Sequence, residues 1–388
     1  MAKLVVYSHK PCWPSAASSS GFATDGGFPF QMRALSELFE ATTLLVPCRA
    51  VADRRGEIPI TGNNLSIVPL TAPHGEGQSR KLGMVWWLVR NGWTLLREAI
   101  RADLIHSPIP GDIGTFGMLL AVALRKPLFV RHCGNWEFQR TVAERFWRGF
   151  MERYAGGRNL MLATGGAAAP PSPRNEAIRW IFSTSLTREE IANCRTARRT
   201  VNRGEARLIM VSRQEKFKGT DLLLESLPRL LDDFPDLKQD IVGDGQALPE
   251  FKRSAERLGL NGRVEFHGRL DRENVIRLLK RADLFCYPTR SDGFPKVVLE
   301  ALACGLPVVT TPVSVLPQLV AGGCGVLIEE ETPGALARAV RECLLDPERY
   351  REMSASALAT AEQYSLERWR DQIRDWLRES GAPVRRDV

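Results

Sequence analysis

With 388 residues and a mass of 43.3 kDa, the chain exceeds one ordinary core; at about 150 residues per domain it divides into two or three. Its 44% hydrophobic and 25% charged residues exclude a wholly disordered polymer. The balance of 53 Lys and Arg against 45 Asp and Glu gives a formal charge of +8, which favours an anionic partner (a nucleotide, a lipid surface or a nucleic acid) without choosing among them.

Short apolar runs alternate with longer amphipathic stretches. The opening MAKLVVYSHK lacks the apolar core of a secretory signal. In the first half, strand-like runs at 4–7, 44–46, 65–68, 103–106, 128–131 and 159–163 are interleaved with helix-like stretches at 30–39, 80–101, 115–124 and 138–154. The segment 165–175, rich in Gly and Pro, reads as a surface loop, and the basic stretch 195–207 as a crossing between domains. Beyond it come strand-like runs at 208–211, 240–242, 264–266, 284–287 and 307–310. Helix-like stretches at 220–231, 248–258, 274–281, 297–303 and 334–345 fall between and after them.

This alternation predicts an α/β protein of two doubly wound Rossmann-like domains facing a cleft, at 1–195 and 205–364. A last helix over 365–380, with Trp369, Ile373, Trp376 and Leu377 at helical spacing, is expected to pack back on the first domain. The polar tail after Ser380 is expected to be loose. No run approaches the roughly 18 apolar residues of a membrane-spanning helix. The eight cysteines form no CxxC pair, so they read as reduced, mostly buried thiols of a cytoplasmic protein.

Ligands of doubly wound sheets sit outside the carboxyl ends of strands, where helix N-termini point amides outward. The most informative segment is therefore 287–310. A strand ends near Tyr287, Pro288 breaks it, Ser291, Asp292 and Gly293 form a turn, and a helix starts near Lys296. Free amides there would face a phosphate. Glu300 projects one turn further in. Taken alone, the segment fits equally well an ordinary helix start with a solvated Glu300.

Within DGFPKVVLEALACGLPVV, Asp292-x7-Glu300 resembles the E-x7-E signature of the large retaining glycosyltransferase family with the GT-B fold. VSRQEKFKG at 211–219, with Arg213 and Lys218 five apart, resembles that family's G-R-x4-K-G element. VGDG at 242–245 and VEFHGRL at 264–270 follow in order, and the resemblance runs over 208–340. The first half is similar more loosely, through Gly26–Gly27, DLIHS at 103–107 and VRHCGNW at 130–136. Two departures stand out: Asp292 is one methylene shorter than the usual Glu, and LKQDIV before VGDG is more polar than the usual strand.

The resemblance implies transfer of a sugar, with retention, from a UDP- or GDP-linked donor to a hydroxyl acceptor. A lipid-linked acceptor and a role in cell-surface polysaccharide or glycolipid synthesis fit it. Arg213 and Lys218 would hold the diphosphate, and two cations there suit its charge. Gly293, Phe294, Pro295 and Lys296 would meet phosphate oxygens. Glu300 would accept from the ribose hydroxyls. Asp292 would contact the donor sugar. His267, Gly268, Arg269 and Leu270 would lie along the base. Gly26 and Gly27 would let backbone approach a phosphate. His132 would stand against the donor sugar, and His106, read as ending its strand, would be a second cleft residue.

No D-x-D occurs, so a metal-free reaction without a cofactor is expected. A nucleic-acid partner would explain the charge but not the ordered motifs. Two basic, aromatic stretches also suggest peripheral contact with an anionic bilayer at the inner face of the membrane. The first, 80–101, carries Trp86, Trp87 and Trp93, and the second, 144–158, carries Phe146, Trp147, Phe150 and Tyr154. Core helices with a solvated basic face would read the same way. A nucleotide-sugar epimerase or hydrolase of the same fold, or a non-catalytic partner subunit, remain alternatives at this level.

Overall fold

A computed structural model describes residues 2–49, 58–73, 77–136, 139, 141–167, 169–196 and 205–385, with side chains from 83 onward in the helix that begins at 77. Most of the basic crossing 195–207, and the first residues of the two basic aromatic stretches' helix-like readings (80–82 side chains and 138), lie outside the described residues. The chain divides into two compact units, Met1–Ser185 with Leu366–Val388, and Leu186–Ser365.

In the first unit the elements are β1 (Lys3–Tyr7), β2 (Trp13–Pro14), β3 (Phe22–Thr24), α1 (Phe28–Ser36), β4 (Ala41–Pro47), β5 (Ile58–Pro59) and β6 (Leu65–Leu70). There follow α2 (Gly77–Arg101), β7 (Leu104–Ile109), α3 (Asp112–Ala123), β8 (Leu128–His132), α4 (Val142–Tyr154), β9 (Leu160–Thr164) and β10 (Ile178–Ile181). Seven of the strands form one parallel sheet in the order β10-β9-β8-β7-β1-β4-β6. Its central strands are apolar runs buried on both faces, as a parallel sheet covered by helices requires. Strands β2, β3 and β5 make a small antiparallel sheet.

In the second unit the elements are α5 (Arg188–Cys194), β11 (Arg207–Val211), α6 (Thr220–Ser226), β12 (Lys238–Val242), α7 (Leu248–Arg257), β13 (Val264–Gly268), α8 (Arg272–Arg281) and β14 (Leu284–Tyr287). They continue with α9 (Lys296–Ala303), β15 (Val308–Thr310), α10 (Leu316–Val320), β16 (Gly325–Leu327), α11 (Pro333–Leu344) and α12 (Pro347–Glu362). The parallel sheet runs β13-β12-β11-β14-β15-β16. The chain then returns to the first unit as α13 (Leu366–Glu379), which buries Trp369, Ile373 and Leu377 in the same core as Met32 and Leu35 of α1.

Two expectations need correction. The first unit ends at Ser185, short of 195, because Leu186, Ile191 and Cys194 are buried in the core of the second. The tail after Ser380 is packed as far as it is described: Ala382 is buried and the Arg385 amide donates to the Leu38 carbonyl at 2.8 Å. The 16-residue α12, with its small residues Ser354, Ala357 and Ala361 against the core, lacks the bulky apolar period by which the other helices are legible.

Both large sheets reverse direction of growth at one place, between β1 and β7 in the first unit and between β11 and β14 in the second. Such switch points open a crevice at the carboxyl ends of the strands, because the loops on either side turn away to opposite faces. Arg213 and Lys218 follow β11 and Asp292 follows β14, so the sequence motifs fall on both lips of the second unit's switch point.

Candidate functional site

The loop after β11 is held by its own backbone. Gln214 is fully buried; its Nε2 donates to the carbonyls of Ser212 (3.0 Å) and Val242 (3.2 Å), while its Oε1 accepts from the Thr220 hydroxyl at 2.9 Å. Gly219 has φ +81°, and a Cβ there would lie 1.9 Å from the Pro288 carbonyl oxygen. Gly243, at φ +120°, would place a Cβ 1.8 Å from the Ser212 carbonyl oxygen. Only glycine permits these approaches. They draw the loops after β11, β12 and β14 into one layer.

Within that layer Lys218 is buried, and its Nζ donates to Asp292 Oδ2 at 2.5 Å and to the Ser291 carbonyl at 3.0 Å. The Tyr287 hydroxyl donates to the same Asp292 Oδ2 at 2.6 Å. Burial, and then the Asp292 charge, push the Tyr287 phenol well above its ordinary pKa, while the nearby Arg213 charge works against that rise. Arg213 itself is exposed and makes no ion pair among the described residues. Thus Arg213, Lys218 and Asp292 come together, with Arg213 open and Lys218 already committed to the carboxylate. Tyr287 was not singled out by sequence reading as a site residue; its position as the last residue of a strand at the switch point is the signal that marks it.

Glu300 does not join this group. It stands on α9, where Arg272 Nε lies 3.7 Å from its Oε1 and Arg272 Nη1 donates to Glu190 at 2.7 Å. Burial raises the Glu300 pKa, with Arg272 and Lys296 opposing and Glu190 reinforcing the rise. Arg272 opens α8, two residues after Leu270, so Glu300 is tied to the end of β13. No side chain caps the start of α9, and Ser314 Oγ donates to the Gly293 carbonyl at 2.7 Å, fixing the turn before it. Phe294 is half-buried against the core and Pro295 is buried at the helix start.

At the end of β13 the pairing slips, with Ile241 opposite Phe266 and Val242 opposite Gly268, so His267 is the extra residue of a bulge. His267 Nε2 meets Asp240 Oδ1 at 2.8 Å, and Asp240 Oδ2 accepts from Arg207 at 2.9 Å. Gly268 has φ +62°, and its carbonyl accepts from the Gly243 amide at 2.7 Å. Arg269 is exposed and Leu270 half-buried. The polar run before VGDG is thereby explained: Asp240 is a buried carboxylate shared between neighbouring strands. Asp240, Glu265 and His267 are also the only metal-capable group of three among the described residues. Arg207 already occupies one oxygen of the buried member, which suits an ion-pair ladder.

In the first unit, Gly26 (φ +70°) and Gly27 precede α1, whose start no side chain caps. His132 ends β8, opposite Ile109 at the end of β7, with its ring edge-on to Trp136 at 5.3 Å. Burial lowers its pKa to about 4. His106 lies inside β7 rather than at its end. It is fully buried, stacked on Phe129 with ring centres 4.0 Å apart, and its Nδ1 meets the Phe129 carbonyl at 2.9 Å. Burial lowers its pKa to about 3. It is a core histidine, and the cleft role expected from the sequence does not fit this position.

The basic aromatic helices differ. On α2, Trp87 is buried while Val85, Trp86, Val89, Trp93 and Ile100 are exposed, with Trp86 at 78% and Trp93 at 71%. Arg90, Arg97 and Arg101 are exposed beside them. On α4, Trp147 and Phe150 are buried and only Val142 and Phe146 face outward. The aromatic residues of α4 are therefore mostly core.

The sequence profile of the family described as "Glycosyl transferases group 1" matches residues 196–359. This match covers less than half of the chain and says what that region is similar to. It holds Arg213, Lys218, Asp292 and Glu300. A D-inositol 3-phosphate glycosyltransferase of Streptomyces griseus is 34% identical over 166 residues, 40% of this chain and 35% of that protein. A GDP-mannose-dependent monoacylated alpha-(1-6)-phosphatidylinositol monomannoside mannosyltransferase of Corynebacterium glutamicum is 33% identical over 152 residues, 37% of this chain and 39% of that protein. The aligned region thus spans less than two fifths of the length of these two relatives.

Whole-chain likeness comes from solved structures. Anabaena Alr3699/HepE in complex with UDP matches 98% of this chain and 100% of its own at a TM-score of 0.71 and 19% identity. WaaG, a glycosyltransferase involved in lipopolysaccharide biosynthesis, matches 97% of this chain and 99% of its own at 0.61 and 17%. At these identities the likeness speaks for the fold, and the fold is GT-B.

Proposed function

We propose that the chain is a retaining glycosyltransferase that moves a sugar from a nucleotide-diphosphate donor to a hydroxyl acceptor. The observation that carries this reading is the meeting of Arg213, Lys218 and Asp292 across the switch point of a unit similar to the group 1 family. The second unit binds the donor. Arg213 and Lys218 neutralise the diphosphate, a role that needs no resident metal or cofactor. The turn 293–296 and the uncapped start of α9 add backbone dipoles. Glu300 takes the ribose hydroxyls, Asp292 a hydroxyl of the sugar, and the segment His267–Leu270 the base.

In the reaction, the acceptor oxygen bonds to the anomeric carbon as the bond from that carbon to the phosphate oxygen breaks. The acceptor proton passes to the departing phosphate on the same face. The protein supplies position and charge stabilisation. The first unit takes the acceptor at the carboxyl ends of its strands.

The relatives' names speak of an inositol phosphate and a phosphatidylinositol mannoside as their acceptors. An acceptor with a phosphate or lipid head group suits the net charge of +8 here. The exposed Trp86, Val89 and Trp93 stripe of α2 with its arginines suits an anionic membrane surface. The outcome expected is release of UDP from UDP-glucose or of GDP from GDP-mannose, raised by a lipid-linked acceptor and unaffected by EDTA. The chain should also sediment with anionic liposomes, less so after Trp86→Ala with Trp93→Ala or in high salt. Absence of turnover across such a panel, with no nucleotide binding, refutes the reading; equal binding to neutral vesicles refutes the membrane part.

A further inference from the structure

We propose that Tyr287 is a positioning residue for donor-sugar recognition: its hydroxyl holds the short Asp292 carboxylate by one oxygen and leaves the other to accept a sugar hydroxyl. The proposal rests on the donor-site reading above and adds a residue to it.

Tyr287 ends β14 with 2% of its surface exposed, and its ring stacks on Phe285 with centres 5.8 Å apart. The hydroxyl is therefore fixed by the core beneath it. It stays protonated, so it donates, and its proton goes to Asp292 Oδ2 at 2.6 Å. Lys218 Nζ brings a second donor to that same oxygen at 2.5 Å. Among the described residues, Oδ1 of Asp292 accepts from nothing. Two donors on one oxygen stop the carboxylate from turning about its last bond and aim the other oxygen in one direction.

The arrangement matters because aspartate here is one methylene shorter than the glutamate usual at this position. A shorter arm reaches less far from the turn, so its oxygen must be placed by neighbours. Tyr287 also lets Lys218 divide its protons. Lys218 can turn one N–H to an arriving phosphate while Asp292 keeps a donor from Tyr287. Oδ1, an acceptor only, selects a sugar with a free hydroxyl at that point.

The experiment compares the wild type with Tyr287→Phe, Asp292→Glu and the double variant. Calorimetry measures UDP and GDP, and kinetics measures UDP-glucose and GDP-mannose. Tyr287→Phe keeps the ring and its packing and removes one oxygen. It should bind UDP or GDP within about twofold of wild type, yet lose about tenfold or more in kcat/KM, the worth of one hydrogen bond to a charged group. Asp292→Glu added to Tyr287→Phe should restore most of that loss, because the longer arm needs no tether.

An unchanged kcat/KM, an equal loss of bare-nucleotide affinity, or no rescue each overturns the proposal and leaves the donor-site reading standing. A wild type that binds neither nucleotide and consumes neither donor overturns both. If Tyr287→Phe melts early, Asp292→Asn decides: it should bind UDP or GDP within about twofold of wild type and lose about tenfold in kcat/KM, and an unchanged kcat/KM overturns the proposal.

Discussion

Replacing Glu300 with Gln separates binding from stability in one residue. In the free protein the carboxylate is mostly withdrawn from water, with a side-chain exposure of 15%, and its nearest cation is 3.7 Å away, beyond hydrogen-bond reach. That cation, Arg272, spends its strongest contact on Glu190 at 2.7 Å. Burial therefore outweighs attraction, and the pKa of Glu300 is raised. A carboxyl raised in the folded state contributes stability when protonated and loses it as pH rises through the folded value. At neutral pH the charge is a burden, so Glu300→Gln should leave the melting temperature unchanged or raise it.

Nucleotide binding should move the opposite way. Gln keeps one acceptor oxygen and loses the charge, which removes about 2 kcal/mol, or about thirtyfold in Kd. Acidification should weaken nucleotide binding by the wild type at a pH above the ordinary carboxylate range, and the variant should not follow. Calorimetry of UDP and GDP at several pH values, with a melting scan, tests all three statements. A variant that binds as wild type refutes the ribose assignment. A melting temperature several degrees lower refutes the claim that burial outweighs Arg272.

Arg213→Ala should lower turnover by about tenfold or more with little change in melting, because its exposed cation has no partner to strand. Lys218→Ala should lower both, since it also takes a donor and a cation from Asp292; equal melting of the two variants would count against the pairing. Gly219→Ala forces a Cβ to 1.9 Å from the Pro288 carbonyl at φ +81°, so the loops after β11 and β14 must separate and nucleotide binding should be lost while the chain still folds, read by calorimetry and circular dichroism. His106 and His132 have folded pKa values near 3 and 4 against an ordinary 6.5. The stability they contribute as neutral rings is whole above pH 6.5 and falls on acidification, by about 2 kcal/mol each at pH 5. Urea unfolding at pH 7 and 5 should show a smaller drop in His106→Gln than in wild type.

The second unit was legible because its loops are constrained by backbone contact. Gly219 and Gly243 each occupy a close-packed position that other residues cannot take, and Gly268 a left-handed one that glycine favours, so the motif spacing carries the geometry with it. The apolar strands of both sheets were legible for the same kind of reason: buried on two faces, they read as continuous runs. Pairings across space were not. Tyr287 and Asp292 are five apart, but Lys218 is 74 residues from that carboxylate, and no local pattern announces that one cation is consumed by it. Arg272, Glu190 and Glu300 meet from three separate helices, which only the tertiary fold brings together.

His106 and the tryptophans of α2 show how a side chain's direction decides its meaning. A histidine ending a strand at a switch point would face a ligand; three more strand residues, Ser107, Pro108 and Ile109, carry the carboxyl end past His106 and leave its ring against Phe129. On α2, Trp86 and Trp87 are adjacent in sequence but about 100° apart around the helix axis. Trp87 falls on the face that carries Leu95 and Ala99 into the core, and its indole N–H donates to the Thr71 carbonyl at 2.6 Å. Trp86, Val89 and Trp93 follow one another at three and four residues and share the opposite stripe. A core helix with a solvated basic face would bury this stripe or make it polar. Large apolar groups held out together beside arginines are what the proposed contact with an anionic bilayer requires, and liposome sedimentation of Trp86→Ala with Trp93→Ala tests it.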